Sequence, residues 1–245
     1  IECLDPQLAS TKAEMTACVN LFEGLMRLDN TTQPVCAAAE SFIISNDGLT
    51  YTFTLREGMT WSDGETPLCA DDFVFGFKRA VEKSTDAPYA SVLFSIKNAA
   101  DINSGEKDVS TLGVTADGNK VIIKLEKHDD SLLYYLCYPV SMPCNEAFFN
   151  STNGKYGREK KQTLSNGAFS LRTWNTDTEG AFYLRLDKSD TYNGEADAVP
   201  SSVTLGYDRN ISDISSLMYA ENLDCGSCDA DSISKLSEVG YSSVR

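Results

Sequence analysis

Strict alternation marks the clearest element of the chain. Tyr51, Phe53 and Leu55 interleave with Thr50, Thr52 and Thr54, the period of a strand with one buried face, built from good β-formers. Upstream, residues 40–45 read as a second strand. Asn46-Asp47-Gly48 between the two runs is a strong hairpin signal. Downstream, Gly58, Ser62-Asp63-Gly64 and Pro67 punctuate a loop anchored by Met59 and Trp61. After Pro67 the period becomes helical, with Phe73, Val74, Phe77, Ala80 and Val81 on one face. Asp71 and Asp72 fall in the first turn of this helix, where carboxylates suit the positive end of the dipole. Cys69 stands where Ser or Thr would cap, so the start is expected to be weaker by up to about 1 kcal/mol.

The rest of the chain alternates between the same two periods. Ile1 to Gln7 reads as a strand end followed by a Pro turn. Met15, Cys18, Val19, Phe22, Leu25 and Met26 recur at helical intervals, with Thr11 and Glu14 as a capping box at the start. Residues 86–93 look like a Pro-led helix start, and Val121 to Leu125 a strand after an Asp117-Gly118-Asn119 turn. A short apolar helix is expected before Pro139 and another from Pro143, followed by an exposed polar stretch over 151–161. Alternation returns over 164–174, 182–186 and 203–207, and helical patterns from Ile211 and over 231–239 close the chain.

Composition narrows the function classes. The apolar and charged fractions, 42% and 23%, are those of a globular protein, and no apolar run reaches the ~20 residues of a membrane span. No basic-then-apolar leader opens the sequence, so any export signal is expected to lie outside it. The net charge of −15 would repel phosphates and argues against nucleic-acid binding. Of the eight cysteines, only Cys225 and Cys228 have redox or metal spacing, and a zinc site would need two further ligands. Cys137 and Cys144 bracket a Pro-rich bend, and at most this one pair is expected to form a disulfide, the other cysteines being free thiols. An enzyme is not expected. His128, the single histidine, lies in a polar turn, no nucleophile elbow or nucleotide loop is present, and neither a metal nor another cofactor is implied. The sequons at Asn30, Asn150 and Asn210 read as chance.

Three stretches together point further: Leu21-Phe22-Glu23-Gly24-Leu25; Arg56, Gly58, Trp61-Ser62-Asp63-Gly64, Pro67 and Ala70-Asp71-Asp72-Phe73-Val74; and Leu164 to Trp174 around Asn166-Gly167-Ala168. In this order they resemble the bacterial extracellular solute-binding proteins of the oligopeptide- and dipeptide-binding type, receptors of peptide-importing ABC transporters. Cys69 and the missing Trp after Tyr192 depart from that pattern. The resemblance implies an α/β fold of the type II periplasmic-binding-protein kind. One lobe with a mixed sheet, residues 1–33 and 162–245, is expected beside an inserted β-rich α+β subdomain, 34–161. Typical members are about twice as long, so the second lobe is expected to be absent.

The resemblance also implies the ligand, an oligopeptide held extended between lobes by main-chain hydrogen bonds, and a membrane permease as partner. It implies a monomeric receptor outside the cytoplasm, either periplasmic or a surface lipoprotein. A same-fold receptor for a nickel chelate, haem or another small solute, or an interaction module that has lost the pocket, are the alternatives. By position, peptide contacts fall on Ser10, Thr11 and Lys12, on Tyr89, and on Asn166 at the cleft border. Without the family, Tyr89 is an ordinary core aromatic and Lys12 an ordinary exposed lysine. A single wall cannot bury an extended peptide, so these residues alone are expected to bind peptide at best in the millimolar range, about −4 kcal/mol. Apolar patches are expected on the uncovered face.

Overall fold

A computed structural model describes residues 1–176, 182–194 and 200–207. The chain divides into two units, Ile1–Asn175 with Tyr183–Leu205, and Thr176–Phe182 with Gly206–Arg245. The expected helices from Ile211 onward, Cys225, Cys228 and Asn210 lie outside the described residues.

The first helix, α1, spans Lys12–Leu21, capped by Thr11 as its spacing suggested. The helical period of the sequence runs on to Met26, but the helix stops five residues earlier. Phe22 turns extended because the backbone beyond Leu21 is bonded elsewhere: Gly167 N–H donates to the Leu21 carbonyl, and Asn166 pairs with Glu23. Phe22, Leu25 and Met26 stay buried all the same. Two short strands follow, β1 (Met26–Leu28) and β2 (Pro34–Cys36), paired antiparallel. Residues 1–4, expected to end a strand, are in no strand; the Leu4 N–H bonds the Gly157 carbonyl instead.

The alternating stretch forms the centre of a four-stranded sheet. Strands β3 (Ala39–Ile44) and β4 (Thr50–Leu55) make the expected hairpin, with Gly48 at φ +70 in its turn. Strand β4 also pairs with a later strand, and the sheet is completed by β5 (Val114–Asp117) and β6 (Lys120–Lys124), all neighbours antiparallel. Tyr51, Phe53 and Leu55 are buried and the threonines between them half-buried, as the period requires. Strand β5 has no clear alternation of its own, since Val114-Thr115-Ala116-Asp117 carries only one large apolar residue. Helix α2 (Ala70–Val81) packs on β5 and β6, and Phe73, Phe77, Ala80 and Val81 are fully buried. Each such Phe contributes about 1.5–3 kcal/mol of burial.

The connecting regions are short helices. Residues 90–93 make one 3₁₀ turn rather than an α-helix, followed by α3 (Ala99–Ser104). Helices α4 (Leu132–Tyr135) and α5 (Glu146–Ser151) lie where expected, with a Pro-led 3₁₀ turn, Pro139–Ser141, between them. That geometry separates Cys137 and Cys144, and both are free thiols. The Cys137 thiol donates to the Leu133 carbonyl at 3.3 Å, while Cys144 lies beside Arg79, 3.4 Å from its guanidinium. Strands β7 (Phe169–Thr176), β8 (Phe182–Lys188) and β9 (Ser202–Tyr207) make a three-stranded sheet in that order.

The polar stretch 151–161 is not uniformly exposed. Tyr156 is buried, and with Phe149 it flanks the guanidinium of Arg79, 5.4 and 4.1 Å from the two ring centres. Arg79, in the last turn of α2, is itself buried and bridges Asp5 (2.6 and 3.2 Å) and Gln7 (2.5 Å). Burial pushes the Cys144 thiol up to about 12 despite this neighbour. The cluster pins the N-terminal turn to α2.

Candidate functional site

The three sequence stretches meet in space. Trp61 is fully buried and its indole N–H donates to the Asp72 carboxylate at 3.1 Å, locking the loop onto the start of α2. From the same loop, Ser62 N–H donates to the Ser165 carbonyl (2.7 Å), and Ser165 N–H returns a bond to the Ser62 hydroxyl (3.1 Å). Next to it Asn166 clamps the backbone of Glu23: its side-chain oxygen accepts the Glu23 N–H and its amide donates to the Glu23 carbonyl, at 3.1 and 2.9 Å. Gly167 touches the backbone of Leu21 so closely that a Cβ would stand 2.8 Å from it, and no other residue fits without a shift. Tyr192 completes this junction by donating to the Glu23 carboxylate.

The other candidate residues gather at the far end of α1. Ser10, Thr11 and Lys12 are exposed in the loop that opens the helix. Tyr89, half-buried at the head of the 3₁₀ turn, reaches across to them and donates its hydroxyl to the Ser10 carbonyl at 3.4 Å. The ten-residue helix lies between this group and Asn166, about 15 Å at 1.5 Å per residue. Ser10, Thr11, Lys12 and Tyr89 are therefore brought together. Asn166 is buried in the junction, with both ends of its amide engaged by Glu23.

One residue shapes the loop from beneath. Glu14 is buried, and its carboxylate accepts the N–H and hydroxyl of Ser10 (3.1 and 3.3 Å), the N–H of Thr11 (3.1 Å) and the N–H of Glu2 (3.3 Å). Thr11 returns a bond to the Glu14 N–H at 3.2 Å, closing the capping box. Burial pushes the Glu14 carboxyl up, but these donors from Thr11, Ser10 and Glu2 outweigh it and hold the group below its ordinary range. The sequence gives Glu14 as a helix cap; its grip on Ser10 and Glu2 needs the fold of the preceding turn.

Elsewhere, a groove of about 420 Å³ beside the C-terminal end of α1 is lined largely by apolar side chains, among them Val19, Phe22, Met26 and Leu28. His128 is exposed next to the Gly48 turn, its Nδ1 3.5 Å from Asp130. Among the described residues no three His, Cys, Asp or Glu side chains converge on a metal position, and no helix is long and apolar enough to cross a membrane.

The model of the bacterial extracellular solute-binding proteins, family 5 (middle), matches residues 33–210. The chain belongs to this family. A dipeptide-binding protein of Lactococcus lactis is 32% identical over 174 residues, 71% of this chain and 32% of the relative. A probable deoxycholate-binding periplasmic protein of Escherichia coli, YgiS, is 36% identical over 174 residues, 70% of this chain and 32% of that protein. Among solved structures, that of Listeria monocytogenes OppA bound to peptide superposes with a TM-score of 0.87 at 28% identity, over 98% of this chain and 47% of that one. The fold is thus of the type II periplasmic-binding-protein kind. This family member spans about a third of the length of these curated relatives and just under half of the solved one.

Proposed function

We propose that the full-length protein is the ligand-binding receptor of an ABC importer for oligopeptides, acting outside the cytoplasm and delivering its ligand to a membrane permease. The observation that carries this reading is the reach of Tyr89 to Ser10, 79 positions apart in sequence. It joins the two segments to which the family resemblance assigns peptide contacts. Main-chain groups presented at such a loop give affinity without reading side chains, which suits a receptor for mixed peptides. Under this reading residues 1–33 and 162–245 belong to one ligand-binding lobe and 34–161 to an inserted subdomain. The four-stranded sheet falls wholly inside the second of these ranges and β7 to β9 wholly inside the first. The receptor is monomeric, and a lipid anchor would hold it at the surface of a cell without an outer membrane. Asn166 serves it as a brace at the cleft border through Glu23.

Calorimetry of the full-length protein against mixed peptide pools tests the reading. Saturable binding at micromolar concentration is expected, and no heat with any pool would overturn it. A second reading has one specific support, the relative named for deoxycholate: a receptor for an amphipathic small solute. Deoxycholate displacing bound peptide, or binding where peptide does not, favours that alternative.

A further inference from the structure

We propose that Glu14 is a positioning residue for ligand recognition: it orients the Ser10–Thr11 peptide plane so that the Ser10 carbonyl is offered to hydrogen-bond donors of the ligand. The inference deepens the peptide-receptor reading and rests on it.

The argument is one of peptide geometry. A trans peptide unit is planar, with its C=O and N–H pointing in opposite directions. The unit joining Ser10 to Thr11 has its N–H turned onto the buried Glu14 carboxylate at 3.1 Å. Its carbonyl must then point away from Glu14, and it does so, toward the Tyr89 hydroxyl. The preceding unit is turned the same way, because Ser10 N–H also donates to Glu14. A third donor, the Glu2 N–H, ties the segment before Cys3 to the same carboxylate. An exposed loop with few bonds of its own would otherwise sample many orientations. Fixing it in advance removes an ordering cost that the ligand would have to meet on binding. The bond from Tyr89 to Ser10 is long for a hydroxyl donor, 3.4 Å. A ligand N–H could replace or share it.

The bonds of Glu14 extend beyond helix capping. Glu14 is the third helical residue, and the cap needs only its bond to the Thr11 N–H. The bonds to Ser10 and Glu2 lie outside the helix and do nothing for the cap. Moreover, α2 carries the shorter Asp72 at the same position, and it reaches the capping N–H of Cys69 at 2.9 Å. Glu14→Asp should therefore keep the Thr11 bond, and with it the Ser10–Thr11 plane, while losing the bonds to Ser10 and Glu2.

The test uses the full-length protein and the tightest binder from a mixed tri- to pentapeptide pool, together with that peptide N-methylated at each residue in turn. In the wild type, one methylation should weaken binding by about tenfold or more, marking the donor that meets Ser10. Glu14→Ala should weaken the parent peptide by about tenfold and reduce the penalty of that methylation to below about twofold. Glu14→Asp, which keeps the bond to the Thr11 N–H, should keep the methylation penalty and bind within a few-fold of wild type. If Glu14→Ala fails to fold, Glu14→Met, which keeps the bulk but has no strong acceptor, carries the same comparison. Affinity within about twofold of wild type in the folded alanine or methionine variant, an unchanged methylation penalty there, or an aspartate variant that melts like wild type yet binds like alanine would each overturn the proposal. If the wild type binds no peptide, the receptor reading falls and takes this inference with it. If it binds and the variants are indifferent, only the inference falls.

Discussion

The two long helices start with the same device and use it differently. Each has an acid at its third position reaching back to the capping N–H, Glu14 in α1 and Asp72 in α2. Around Asp72 the other donors are side chains of packed neighbours: the buried Trp61 indole at 3.1 Å and the half-buried Asn145 amide at 3.2 Å. Around Glu14 they are backbone groups of an exposed loop. Burial pushes the Asp72 carboxyl above its ordinary range, and hydrogen bonds from Cys69, Trp61 and Asn145 offset that only in part. At Glu14 the balance goes the other way, and the carboxyl is held low. A reciprocal cap is thus a neutral part. What its acid is otherwise bonded to decides whether it serves the core or presents a surface.

The comparison is broken most forcefully at Asp72. Asp72→Ala strands the buried Trp61 N–H and leaves the part-buried Cys69 N–H and Asn145 amide without this acceptor, and a loss of about 2–4 kcal/mol is expected. Chemical denaturation measures it. Peptide affinity, once the variant is folded, should be unchanged, in contrast to Glu14→Ala. A stability loss below about 1 kcal/mol would mean that the junction is held elsewhere.

Cys69 sharpens the same contrast. Its thiol donates to Asp72 at 3.4 Å, and its sulfur is only a weak acceptor for the helix N–H groups. Cys69→Thr supplies a hydroxyl that can accept the Asp72 N–H, and a gain of up to about 1 kcal/mol in thermal or chemical stability is expected. A loss would mean that the thiol packs in a way a hydroxyl cannot match.

Acid titration gives the finest separation. Glu14, whose folded value is lowered, contributes stability that is complete above its ordinary 4.5 and is lost as pH falls through the lower folded value. Asp72, whose folded value is raised, contributes in the opposite sense: its stabilisation is complete below 3.8 and is lost as pH rises through the folded value. Carboxyl carbon shifts followed by NMR should find Glu14 titrating below 4.5 and Asp72 above 3.8. The reverse order would remove the distinction.

Much of the fold was legible because its periods are clean. The strand of Tyr51, Phe53 and Leu55, the hairpin through Gly48, the face of α2 and the cap at Thr11 all follow from local pattern. What was misread depends on partners far along the chain. Residues 22–26 keep a helical period but are drawn straight by Asn166 and Gly167, more than 140 positions away. Tyr156 sits among lysines and glycines and looks exposed, yet it is buried beside Cys144 and Arg79. In the candidate site, the loop and Tyr89 could be named from the family pattern, but their meeting at Ser10 could not. Glu14 could be read as a cap from its spacing, whereas the turn that brings Ser10 and Glu2 onto it exists only in the folded chain.

The central claim is that peptide is received at the loop before α1. Hydrogen exchange of the full-length protein, with and without a saturating peptide pool, addresses it directly. Peptide should slow exchange in segments containing Ser10 to Lys12 and Tyr89 to Ser91, and leave the β3–β4 hairpin unchanged. Protection confined to the groove around Val19 and Leu28, or to the hairpin, with none at Ser10 to Lys12, would contradict it.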